Sequence, residues 1–338
     1  MGDKTRISWA DATWNPVVGC ARISEGCKNC YALKLQNRRY KANTKQAVAF
    51  AGLLEQGERK LRSYEGWADN VRRVGSPPGG WAARARELGV RMPLPAQYDQ
   101  PFSQVQLLPD RLDQPLHWRN PRRIFVCSMS DLFHEAVPDE FIDQVFARMR
   151  ATRQHTFLVL TKRPERMRGY IGTAAGETSM RVRHMFPSTL PKHWYHADNW
   201  RWPLSNVHLG VSVENQHWAD IRTPILLDIP AAKRFVSVEP MLEAINLRRA
   251  LWGICPVHDG PSLSCNHGQC PATTRIDAVI CGGESGPGYR PMDPAWARDL
   301  REQCRAAGVS FFMKQRAALR PGVPMGDPIL DNCKEFPA

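Results

Sequence analysis

Six short runs rich in β-branched residues constrain this chain more than any other feature. They are RIFVCSMSD (123–131), TFLVLTKRP (156–164), VHLGVSVEN (207–215), KRFVSVEPM (233–241), DAVICGGES (277–285) and VSFFMKQ (309–315). Near-continuous apolarity over so few residues marks strands covered on both faces, as in parallel sheets. Helical patterns lie between them, among them DEFIDQVFARMRAT (139–152) and DPAWARDLREQCRAAG (293–308). The second has Asp293 as its N-cap, Pro294 at the first helical position and Gly308 as its stop. Strand and helix alternate, which predicts an α/β fold with right-handed crossovers. Polar or charged residues stand at the C-terminal ends of the runs: Ser128 and Asp131, Thr161 and Lys162, Ser212 and Glu214, Ser237 and Glu239, Glu284, Lys314 and Gln315. Barrel enzymes assemble their sites on that rim, so the expected architecture is a partial or complete parallel (β/α) TIM-type barrel.

At 338 residues the chain can bury a sizeable core without disulfides. The first strand and a cysteine loop occupy 1–35, a basic insertion of short helices and loops 36–122, the barrel 123–316, and a C-terminal tail 317–338. Two stretches interrupt the barrel: an excursion at 168–203, too long for an ordinary connection, and a Cys/His loop at 255–270. Charge is uneven. Residues 36–123 carry 16 Lys/Arg against 8 Asp/Glu and residues 161–201 carry 8 against 3, which together account for the net charge of +13. Both stretches interleave cations with aromatic rings, a composition suited to a polyanion whose bases can stack. Arg38, Arg39, Trp194, Trp200 and Trp202 are therefore candidate nucleic-acid contacts. The N-terminus lacks a basic segment followed by an apolar run, and no stretch approaches the ~18 apolar residues of a membrane span, so the cytoplasm is the expected compartment.

In a reducing compartment ten cysteines point to metal ligands or core residues before disulfides. The stretch GCARISEGCKNCYA (19–32) spaces Cys20, Cys27 and Cys30 as C-x6-C-x2-C. Thiolates so spaced can reach one metal centre. A tetrahedral zinc would want a fourth ligand nearby, yet residues 1–19 and 31–116 contain no His or Cys. A four-iron cluster held by three cysteines instead leaves one iron open for a cofactor. Lys28 and Asn29 are placed to compensate charge on its sulfurs, and Trp14 to pack beside it. A second candidate metal site, for Zn2+, is CPVHDGPSLSCNHGQC, a small metal-stapled loop with Cys255 and His258 as one ligand pair and Cys265 with Cys270 or His267 as the other. Cys127 and Cys281 read as core residues. The Gly-rich CGGESGPG reads as a tight turn at the rim, with phosphate cradling the weaker alternative.

The co-linear motifs ISWADATWNPVVGCARISEGCKNCYA, SMSDLFHE, LTKRPERM, GVSVEN, VSVEPML, CGGESGPGYRPM and FFMKQ resemble the phage-associated three-cysteine-motif family. That family in turn resembles the radical S-adenosylmethionine superfamily, and spore photoproduct lyase within it. The resemblance implies that Cys20, Cys27 and Cys30 ligate a [4Fe-4S] cluster whose open iron chelates S-adenosylmethionine. A reducing electron donor would then drive formation of a 5'-deoxyadenosyl radical. Ser128, Asp131, Lys162, Ser212 and Glu214 are the candidate cofactor contacts; Glu239, Glu284 and Lys314 are the candidate catalytic residues. The usual C-x3-C-x2-C spacing is widened here, and the one Gly-Gly-Glu, Gly282 to Glu284, falls on a late strand. Combined with the basic aromatic segments, this predicts modification or lesion repair of nucleic acid, DNA before RNA. The alternatives keep the cluster with a protein or small-molecule substrate and a partner protein encoded alongside, or make the chain a non-catalytic metal-stabilised binding module.

Overall fold

The structure, a computed structural model, describes residues 5, 7–42, 100–172, 202–253 and 274–336. Most of the basic insertion and of the 168–203 excursion, with Trp194 and Trp200, lies outside the described residues. So does the Cys/His loop with Cys255, His258, Cys265 and Cys270.

Each of the six apolar runs contains a strand. Seven strands form one sheet: β1 (Ala12–Trp14), β4 (Arg123–Val126), β5 (Thr156–Thr161), β6 (Val207–Ser212), β7 (Lys233–Val238), β8 (Ala278–Gly282) and β9 (Ser310–Gln315). They lie side by side in that order, and every pairing is parallel. The sheet curls into a half-barrel, the partial form of the expected architecture. A separate antiparallel pair joins β2 (Val17–Val18) to β3 (Gln106–Leu107). Its second strand lies in the stretch that composition grouped with the insertion. Residues 100–122 in fact pack on the scaffold: Leu112 is in the main core, and the Trp14 indole donates to the Arg111 carbonyl at 2.7 Å.

Helices follow the strands: α1 (31–42), α2 (Asp139–Ala151), α3 (Pro164–Ile171), α4 (Gln216–Asp228), α5 (Arg248–Trp252), α6 (Pro294–Ala306) and α7 (Pro328–Asp331). The Asp293 side chain caps α6 by accepting from Ala295 N–H, and Gly308 beyond it takes a φ of +63°. Among the described residues no helix is long and apolar enough to cross a membrane.

The two-residue period of a strand sorts side chains onto two faces. Phe157, Val159, Val236, Val238, Phe311 and Met313 face the helices and build the main core. Phe125, Leu158, Phe235, Ile280 and Phe312 join Trp9 in a second cluster on the concave face. Gly210 belongs to this second face: a Cβ there would meet the Phe235 ring at 2.5 Å, so the missing side chain is what lets the ring lie flat against β6. Further toward the C-terminal ends the same alternation turns polar. Lys162 follows Leu160, Ser212 follows Gly210, Ser237 follows Phe235 and Lys314 follows Phe312, and these four line one cavity. The ring-filled bottom of the half-barrel thus becomes the floor beneath a polar mouth.

Candidate functional site

The cavity at that mouth has a volume of about 250 Å³ and is bounded on one side by the cysteine loop. Backbone geometry fixes where the loop begins. Gly19 has a φ of +89°, and a Cβ on it would sit 2.2 Å from the Gln104 carbonyl oxygen, so only glycine fits. Cys20 N–H donates to the Phe102 carbonyl at 2.8 Å and Gly19 N–H to that of Met129 at 3.1 Å. The loop then makes one 3-10 turn, Glu25–Cys27, and enters α1. Cys20, Cys27 and Cys30 are all free thiols and all line the cavity. Cys20 and Cys30 also rest against a small apolar cluster of Val18, Ala32, Phe102 and Met129.

Each thiol meets a different field. Burial, reinforced by Asp131, pushes Cys20 up to about 11, although the Arg163 guanidinium, 3.7 Å from its sulfur, works against this. Burial also raises Cys30 above the ordinary thiol range. It acts on Cys27 as well, but the Lys162 ammonium, the backbone of Ile23 and Ser24, and the Ser24 hydroxyl outweigh it and hold that thiol below its ordinary value. Among the described residues no three His, Cys, Asp or Glu side chains converge as ligands of a single ion.

Behind the thiols lies a buried ionic lattice. Glu214, with a wholly inaccessible side chain, pairs with Lys162 and with Arg222 at 3.1 Å, and accepts from the Ser24 hydroxyl at 2.9 Å. A Cβ on Gly26 would fall 2.4 Å from the Glu214 side chain, so this glycine permits the loop's close approach. Arg222 lies over the Trp218 ring at 4.0 Å, and the Trp218 indole donates to Glu25 at 2.8 Å. Helix α4 thus holds the loop at Glu25 through Trp218, and Glu214, in the connection from β6 to α4, holds it at Ser24. Burial pushes the Lys162 ammonium down to about 8; the nearby Cys27 resists that shift and Arg222 reinforces it. Asp131 organises the exit of β5, accepting from Thr161 Oγ1 at 2.7 Å, Lys162 N–H at 3.0 Å and Arg163 Nη1 at 3.2 Å.

Opposite the lattice, Glu239 and Lys314 form an ion pair at 2.8 Å, and Ser237 Oγ donates to the second Glu239 oxygen at 3.1 Å. Gly282 makes room for that carboxylate, since a Cβ there would come within 2.7 Å of it. Glu284 is held by Arg290 through two nitrogens and accepts from the Asn29 amide at 2.8 Å. Burial raises the Glu284 pKa, but the bonds from Arg290 and Asn29 prevail and keep it below the ordinary carboxylate range. Asn29 also donates to the Gly288 carbonyl and accepts from Lys34.

The sequence-derived site residues thus separate into groups. Ser128, Asp131, Lys162, Ser212, Glu239, Glu284 and Lys314 all line the cavity with the three cysteines. Glu214 stands behind the wall, with its oxygens committed to the lattice. Asn29 ties the loop to the β8 turn, so its amide is not aimed at the sulfurs. Trp14 packs in the main core near Phe157, and Trp9 lines the cavity in its stead. Arg38 and Arg39 are exposed on α1. Trp202 is half-buried, 5.7 Å from the Phe146 ring, with its indole donating to the Pro230 carbonyl, which makes it a packing residue. Sequence reasoning missed Arg163, Arg222, Trp218 and Ser24. The pair of cations in TKRP at a strand exit was the one available signal.

No curated protein and no solved structure matches this chain. A family model described as "Protein of unknown function (DUF5131)" matches residues 4–76 and 79–323, nearly the whole length. The chain that builds this thiol-lined half-barrel mouth belongs to that family.

Proposed function

We propose that this protein is an iron–sulfur enzyme of the radical S-adenosylmethionine type that modifies or repairs a base of nucleic acid, DNA before RNA. The observation that carries the reading is the placement of three free thiols around one cavity at the C-terminal rim of a parallel half-barrel. A single ion needs its ligands within about 2.3 Å of one point, whereas in a cubane each iron takes its own thiolate. Cys20, Cys27 and Cys30 line one cavity, and among the described residues no three such side chains are set to hold a single ion, which suits the second case. Metal binding would also supply the deprotonation that burial makes costly at Cys20 and Cys30.

When bound with S-adenosylmethionine and an external electron donor, the cluster would supply a 5'-deoxyadenosyl radical. This chain's own residues do the rest. Lys162, Arg163 and Arg222 offset the negative charge of the sulfur ligands. The ring-lined floor excludes water beneath the reacting groups. Ser212, Ser237, Glu239 and Lys314 offer hydroxyl, carboxylate and ammonium contacts to whatever enters, and Glu239 and Lys314 are the acid–base pair nearest to it. A base held in a duplex would have to leave the stack to reach this mouth.

Anaerobic purification with iron and sulfide quantified, followed by a reductive cleavage assay, tests this reading. The expected result is close to four irons per chain, lost in Cys20→Ser, Cys27→Ser and Cys30→Ser, with 5'-deoxyadenosine released on reduction. Retention on a nucleic-acid column that weakens with salt and with charge removal at Arg38 and Arg39 tests the substrate class. One iron per chain, or iron that survives all three substitutions, would overturn it.

A further inference from the structure

Arg163 stands where β5 hands over to α3, and the reading above gives it only a share, with Lys162 and Arg222, in offsetting the charge of the sulfurs. Its residue is 5% exposed. Nε donates to Glu135 at 2.9 Å, and Nη1 donates to Asp131 at 3.2 Å and lies 3.7 Å from Cys20 Sγ. Nη2 is buried and has no hydrogen-bond partner among the described residues. A buried guanidinium N–H without an acceptor is costly, and natural structures seldom keep one without a use. Two carboxylates clamp this one, so the guanidinium, with Nη1 beside the Cys20 sulfur, is held fixed in a cavity that Arg163 itself lines. Lys162, one residue earlier, is unlike it, because its ammonium is committed to Glu214.

We propose that Arg163 is the positioning residue that sets the reduction potential of the centre held by the three cysteines, by donating to the Cys20 sulfur and leaving Nη2 for a further sulfur acceptor. The proposal rests on the cluster reading. Reduction brings one electron from the external donor and breaks no protein bond, so the centre gains one negative charge. A fixed cation within N–H···S reach stabilises that charge and raises the potential. Glu135 counters part of the cation's field. Its side chain is 69% exposed, so it can be neutralised without opening the core.

The test is a redox titration of anaerobically loaded protein, followed by the electron spin resonance signal of the reduced centre, in wild type, Arg163→Gln, Arg163→Lys and Glu135→Gln. With iron content unchanged, Arg163→Gln should shift the midpoint to more negative values, Arg163→Lys should recover part of the shift, and Glu135→Gln should move it to more positive values. A general loosening of the site cannot give opposite signs. Should Arg163→Gln fail to fold, the lysine and Glu135 variants still decide. Fully loaded variants with the wild-type midpoint, or variants that all move in one direction, would overturn the proposal. Wild-type protein that takes up no cluster would overturn the parent reading instead.

Discussion

Glu214 carries two cations on one carboxylate that water does not reach, and the cysteine loop leans on it through Ser24. Burying these charges was expensive, and only their mutual pairing offsets the cost. Glu214→Gln should therefore cost about 3–5 kcal/mol, because it leaves Lys162 and Arg222 buried without their counter-charge. Urea denaturation of the metal-free protein measures this, and adding Arg222→Met to the same chain should recover part of the loss. A loss below about 1 kcal/mol would mean that the lattice contributes no more than a surface pair does. The sequence pointed to Glu214 as a rim residue, and it does lie just beyond the C-terminal end of β6. It could not show that both oxygens were already committed, because the partners lie 52 and 8 positions away.

At the scale of elements, a strand's inward positions run from apolar to polar, and one side chain's absence can decide how neighbours meet. Gly210 and Phe235 are direct partners in the parallel register of β6 and β7. Gly210→Ala should thus force the Phe235 ring, and Trp9 and Phe336 around it, off their packing, at about 1–3 kcal/mol of stability. A lowered thermal midpoint reads this out; an unchanged midpoint would mean that the ring has room to retreat. The strands and the Asp293 cap were legible because their signals are local: apolar runs, β-branching, and an Asp-Pro pair before a helical period. The antiparallel pair of β2 and β3 was not, since two residues on each side carry no period and their partnership spans an insertion.

Over the whole molecule, the closed end of the half-barrel holds one titratable group that resists protonation. His208 is 3% exposed on the inward face of β6, and its Nδ1 has no partner among the described residues. Burial, then Lys233 and Arg123, push its pKa down to about 4. Between that value and the ordinary one of 6.5 the unfolded chain binds a proton that the folded chain refuses. The sign follows: this contribution is fully present above pH 6.5 and is lost as pH falls toward 4, up to about 3 kcal/mol in all. In His208→Leu, denaturant midpoints measured across that window should change less with pH than in wild type. Parallel slopes in the two proteins would refute the assignment.

The sequence by itself determined the class, the strands of the main sheet and the place of the three-cysteine loop, because hydrophobic period, helix punctuation and cysteine spacing act over a few residues. It also placed Ser212, Glu239, Glu284 and Lys314 correctly at strand ends. Only the tertiary structure decided which of them face open space. Sheet register and curvature bring Glu239 to Lys314, turn Trp14 into core and put Arg163 against Cys20. Those outcomes depend on distances between residues remote in the chain, and no local pattern encodes them until the sheet curls and its two faces are distinguished.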